Sequence, residues 1–233
     1  VTISIGVAVT PEEINVTSGT PTTTTGSATT QASGSSFLIP LRAYGDLYSA
    51  VTDSFNNTYT FQGKKQNTSD GDWLHLYLCQ NGTGGASHKP KVTVSGTELV
   101  SFGLFEVQGA ATASLDAVSA GVFDSSSPFG DALTTTNAAD MVIGLFGSNG
   151  AAGTVTYTPG SGFSTFTGAG SSIGTNGLSF GVAYQVVAAT GTYNPAFTVS
   201  SGNRGPALTI ALKAAAAASN KQLLSMLSNQ GGF

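Results

Sequence analysis

Trp73-Leu74-His75-Leu76-Tyr77-Leu78-Cys79 alternates without a break. Side chains on a strand point to opposite faces at period two, so Leu74, Leu76 and Leu78 form one row. Trp73, His75, Tyr77 and Cys79 form the other. The leucine row is a core face. The aromatic and polar row needs either a cover or a ligand.

Working outward, the strand is followed by the glycine-rich loop Gln80–Ala86, then by Lys91–Gly96 and Leu99–Val107. The same order returns later in the chain. Leu178–Val187 leads into Ala188–Tyr193, then Ala196–Ser200 and Pro206–Lys213. Upstream, Phe37–Tyr44 and Thr58–Gly63 correspond to Met141–Gly147 and Phe163–Gly168. Element order and loop length agree together, which points to an internal pseudo-repeat of residues 37–107 and 140–213.

Around this repeat the chain reads as strands and turns. Ala50–Thr52 and Thr154–Thr158 supply further short strands, and Asp53–Thr58 is turn chemistry, since Asp and Asn hydrogen-bond locally and tolerate left-handed backbone. Many short strands with Gly, Pro and Asn turns predict an all-β, jelly-roll-like β-sandwich over residues 37–213. Gly109–Asn137 reads as the connection between the repeats.

Residues 1–36 read as an N-terminal strand, Val1–Val9, followed by an extended arm rich in Thr and Ser. Residues 214–233 read as a tail with a short C-terminal helix. Its apolar side chains Leu223, Leu224, Met226 and Leu227 are candidates for assembly, because so short a helix needs something to pack on.

Composition narrows the function. Charged residues are 9% of the chain and the net charge is −4, and the scattered basic residues argue against a nucleic-acid partner. The lone cysteine, Cys79, excludes an intrachain disulfide. No apolar run is long enough to span a bilayer, and no cofactor motif is present. The start at Val1 suggests processing, or a piece of a longer product.

The chemistry-bearing patterns are weak. Gly170-Ser171-Ser172-Ile173-Gly174 fits the serine-hydrolase elbow, but no helix follows it and both histidines precede it, so it reads as a loop. His75 and Cys79 are about 13 Å apart at strand rise, too far for a thiolate–imidazole pair. Asn67, Asp70 and Asp72 offer oxygens to a cation, but too few to close a site, and read as a polar turn. Gly82–Gly85 and Gly147–Gly153 lack a phosphate-binding lysine. The remaining candidate is the face Trp73, His75 and Tyr77. It either stacks on sugar rings or packs beneath a loop or another subunit.

Val51–Tyr59, Asn81–His88, Leu145–Gly150 and Val182–Val187 carry a family resemblance. Over roughly residues 34–213 the chain resembles β-sandwich structural proteins of tailed-phage virions, both capsid-decorating and tail-associated, and is similar to some bacterial surface proteins. The resemblance implies a non-enzymatic virion protein at a particle surface. Its partners would be copies of itself and other virion proteins. The alternative is a carbohydrate- or receptor-binding module that takes a surface glycan.

Overall fold

The structure is a computed structural model and describes residues 2–16, 21–23, 26–46, 48–124, 129–149, 155–166, 178–200 and 205–216. These residues build antiparallel β-sheets, as the alternating pattern predicts. The first half supplies β1 (Ser4–Val16), β2 (Pro21–Thr23), β3 (Ser33–Ala43), β4 (Tyr48–Asp53), β5 (Thr60–Gln66), β6 (Trp73–Thr83), β7 (Pro90–Val94) and β8 (Glu98–Gln108). They form a main sheet in the order β1-β8-β3-β6-β5 and a small cover sheet in the order β2-β7-β4. Successive strands therefore switch between the two layers, which is jelly-roll winding. β5 is the exception, because it pairs with β6 and widens the main sheet.

The second half repeats the plan with β9 (Ala110–Val118), β10 (Val122–Asp124), β11 (Leu133–Thr134), β12 (Asp140–Asn149) and β13 (Tyr157–Pro159). It continues with β14 (Ser164–Thr165), β15 (Leu178–Val186), β16 (Thr192–Tyr193), β17 (Phe197–Val199) and β18 (Gly205–Ala214). Its main sheet runs β18-β12-β15-β14, the counterpart of β8-β3-β6-β5. β9 and β10 pair with successive parts of β18, where β1 alone lines β8. The pairs β13-β17 and β11-β16 cover the outer side. The strands matched in the sequence thus hold equivalent places in their sheets.

The sandwich is double. The two main sheets pack face to face through Leu38, Leu74, Leu76, Leu78, Phe105 and Val107 on one side and Met141, Ile143, Leu145, Val182, Leu208 and Ile210 on the other. A second core lies between the first main sheet and its cover, built on Phe37, Ile39, Leu41, Val92, Phe102 and Leu104. A third lies under the second cover, around Phe146, Tyr157 and Phe197, with a smaller cluster at Leu133, Val142 and Ala211 beside it. Both main sheets are therefore buried on both faces, and each fully buried Leu, Ile or Phe stabilises by about 1.5–3 kcal/mol.

Phe102 and Leu104 are buried against the cover, while Phe105 and Val107 join the leucine row. Two expectations change. The N-terminal segment is not left over as an arm: β1 pairs with β8 along its length and β2 pairs with β7. Register shifts at Ile5/Ala8 and Val9/Glu12 break the alternation of β1. Ile3, Ile5 and Ala8 then reach the middle core, while Val9, Ile14 and Val16 reach the cover core. The connection Gly109–Asn137 also contributes β9, β10 and β11. The predicted helix, with Leu223, Leu224, Met226 and Leu227, lies outside the described residues. Among the described residues no helix is long and apolar enough to cross a membrane.

Candidate functional site

The second face of β6 points at the first cover, and the structure divides it. His75 is fully buried and Tyr77 nearly so, which is a correction to a stacking platform made of all three aromatics. The neighbouring strand and cover fill the space in front of those two side chains. Trp73 is half-buried at the sheet edge. The Lys64 ammonium sits 4.7 Å from the centre of the Trp73 ring, and the His75 ring stacks at 6.2 Å.

β5 and β6 create this arrangement through register, with Lys64 opposite His75 and Phe61 opposite Tyr77. Asp46 completes it, since its carboxylate pairs with Lys64 and lies 3.1 Å from His75 Nε2. Burial pulls the His75 imidazole down to about 4, against the opposing pull of Asp46. Burial also works to raise Asp46, but hydrogen bonds from Lys64 and His75 outweigh it and hold the carboxyl below its usual range. Phe61, 45% exposed and 5.5 Å from the Tyr77 ring, is the open aromatic of this edge.

A buried polar network closes the opposite side of the first jelly roll. Asp53, at the end of β4, accepts hydrogen bonds from the Phe55 and Asn57 backbone amides, from Asn57 Nδ2 and from the Tyr59 hydroxyl. Asn56 takes a positive φ of 58°, which Asn tolerates, and so turns the chain around the carboxylate. His88 Nε2 lies 2.9 Å from Asp53 Oδ2, and Nδ1 lies 2.8 Å from Thr30 Oγ1. Phe37 and Phe55 meet the His88 ring edge-on. Burial would raise Asp53, yet the hydrogen bonds from His88, Asn57 and Tyr59 hold it at about 2. Hydroxyl, imidazole and carboxylate thus stand in series. However, Thr30 is itself buried and its oxygen accepts from the Gly85 amide, so the series ties loops together.

A second tie joins the two jelly rolls. Arg42 on β3 is fully buried between the main sheets and pairs with buried Asp72. Its Nη1 donates to the carbonyls of Ser148 at 2.6 Å and Ser179 at 3.1 Å, both in the second half. A Cβ at position 147 would lie 2.8 Å from Arg42 Cδ and Nε, so Gly147 gives the guanidinium its passage. Asp72, read from the sequence as part of a polar turn, is drawn into this tie. Asn67 and Asp70 make the turn itself, with Asn67 Oδ1 accepting from the Ser69 amide.

No family model, curated protein or solved structure matches the chain.

The other sequence candidates are placed as follows. Cys79 is buried in the first cover core, where burial pushes its thiol up to about 11, so it is not a ready nucleophile. The Gly170–Gly174 pattern lies outside the described residues. Arg42–Asp72 and Thr30–His88–Asp53 were not legible in the sequence, because each joins residues far apart in the chain.

Proposed function

We propose that the chain is a non-enzymatic structural protein of a phage virion, decorating the capsid or associated with the tail. The observation that supports this reading is where the chain spends its polar chemistry. Arg42, Asp72, His88 and Asp53 are all buried, and each serves as a tie between strands or layers. A side chain enclosed in this way holds a scaffold and does not meet a substrate. The low charge, 9% of residues, fits a subunit that packs against neighbours and needs little electrostatic steering. The resemblance over residues 34–213 points the same way.

β1, β2 and β18 through Ala214 are used within the chain's own sheets, so among the terminal segments docking on neighbours falls to residues 217–233. Deleting residues 217–233 is expected to leave a folded protein that no longer co-sediments with particles. Normal incorporation of the truncated protein would overturn the docking role.

One observation favours a second reading, a carbohydrate-binding module at a virion or cell surface. Phe61 is exposed beside Tyr77, with Lys64 and Asp46 on the same edge, an aromatic surface flanked by hydrogen-bonding groups. A glycan array that gives a hit with the native protein and none with Phe61→Ala would support this reading over the structural one.

A further inference from the structure

The first main sheet ends in two edges of opposite charge. β1 closes one side and β5 the other, and among the described residues β1 pairs with β8 alone and β5 with β6 alone. Glu12 and Glu13 are the only charged residues of β1, and Lys64 and Lys65 are the only ones of β5. All four are partly exposed. Register carries them onto the same two rows of the sheet. One row runs Glu12, Phe102, Leu41, His75, Lys64, and the next runs Glu13, Ser101, Arg42, Leu74, Lys65.

We propose that the β1 edge of one copy of this chain docks on the β5 edge of the next, continuing the first main sheet from copy to copy. Every pairing across this sheet is antiparallel, so β1, β3 and β5 run the same way. A copy displaced along its rows therefore lays β1 parallel to its neighbour's β5, with Glu12 opposite Lys64 and Glu13 opposite Lys65. Opposite charges on facing strands attract and like charges repel. Two β5 edges would repel each other, as would two β1 edges, which leaves the unlike pair. Such a head-to-tail contact repeats from copy to copy unless rotation closes it, and the twist of the sheet turns each copy relative to the last.

Inner partners hold these side chains beside their edges. Glu13 Oε2 accepts from the Leu178 amide at 3.1 Å, and Lys64 pairs with Asp46 while lying over Trp73. Side chains already held in place lose less freedom when a facing charge arrives. Asp46 offsets one lysine charge, and the β5 edge keeps a net positive sign. Each edge also exposes one large apolar side chain, Val7 at 37% and Phe61 at 45%. Both precede the charged rows, so parallel strands bring them to the same end of the contact. The second main sheet has no such pair, since its outer strands β9, β10 and β14 contain Asp116 and Asp124 and no lysine or arginine. The contact deepens the structural reading, on which it rests for a particle that gathers many copies.

The test is sedimentation velocity of the purified full chain, without particles, over a range of concentration. Self-association should rise with concentration and weaken in roughly 1 M NaCl, where charges are screened beyond about 3 Å. Glu12→Lys and Lys64→Glu should each weaken it at least about tenfold. An equimolar mixture of the two variants should restore it, since each reversed edge then meets its opposite. Where Lys64→Glu does not fold beside Asp46, Glu13→Lys and Lys65→Glu repeat the test on the next row. A chain that stays monomeric up to roughly 1 mM would overturn the contact. So would association that salt leaves unchanged, variants that associate like the native chain, or a mixture no better than either variant alone. None of these results touches the virion reading, which stands or falls on co-sedimentation of the native chain with particles.

Discussion

Each jelly roll places an acid at the corner where its first strand meets the two central ones, and the two corners are built differently. In the first, Glu106 on β8 is fully buried. Its Oε1 accepts from the Gln31 amide and the Ser35 hydroxyl, and its Oε2 accepts from the Val7 amide and Gln108 Nε2. The bulge in β1 supplies one of these donors, since the register shift brings the Val7 amide to the carboxylate. In the second, β9 brings a carboxylate, Asp116, where β1 brings an amide. The corner thus holds a satisfied anion on β8 in one half and a crowded pair, Asp116 on β9 and Asp140 on β12, in the other. A duplicated scaffold keeps its backbone pairing while its buried polar groups diverge, because pairing uses main-chain groups and the corner uses side chains.

The largest expected effect tests whether the halves depend on one another. Arg42→Ala removes the tie between the main sheets and leaves Asp72 buried without its cation. It should cost about 3–5 kcal/mol in urea unfolding. A loss below about 1 kcal/mol would mean that the apolar faces hold the rolls together unaided.

The corner itself comes next. Asp140→Asn and Glu106→Gln should act in opposite directions at pH 8. Asp140 has a folded pKa of about 7, raised from 3.8, so the native state holds an extra proton between those values. Stability from this site is therefore full below pH 3.8, falls as pH rises through 7 and is absent above it. Asparagine cannot ionise, so Asp140→Asn should flatten that slope and raise stability at pH 8 by about 1–3 kcal/mol. Glu106→Gln turns an amide toward donors and should cost about 1–3 kcal/mol. Unfolding curves at pH 5 and pH 8 check both, and equal signs would break the contrast.

A smaller effect separates the rolls by acid. Asp53 is held at about 2, below its ordinary 3.8, so its contribution is full above pH 3.8 and lost as pH falls through 2. That amounts to roughly 2 kcal/mol, a loss that Asp53→Asn should not show on acidification. Asp116, also held at about 2, sharpens the comparison, since its partner Asp140 is protonated throughout that range.

The smallest effect concerns the edge. Phe61→Ala removes an exposed ring and should change stability by less than about 0.5 kcal/mol. A larger loss would show that Phe61 supports Tyr77 and the cover core.

The sequence by itself determined the strands of the two matched halves, their order and the repeat. Period-two alternation and turn chemistry are local, and Leu74, Leu76 and Leu78 could declare a common face without reference to anything distant. The unbroken apolar run Phe37-Leu38-Ile39-Pro40-Leu41 also held a sign that β3 is buried on both sides. Tertiary structure alone decided which sheet covers which face, and so placed Phe102 and Leu104 in the cover core and enclosed His75 and Tyr77. It alone brought Arg42 to Asp72, His88 to Asp53 and Asp140 to Asp116. Alternation says that neighbouring side chains part company, not what each will meet. The partners are set by strand pairing and sheet stacking, which bring together residues whose separation along the chain carries no periodic mark.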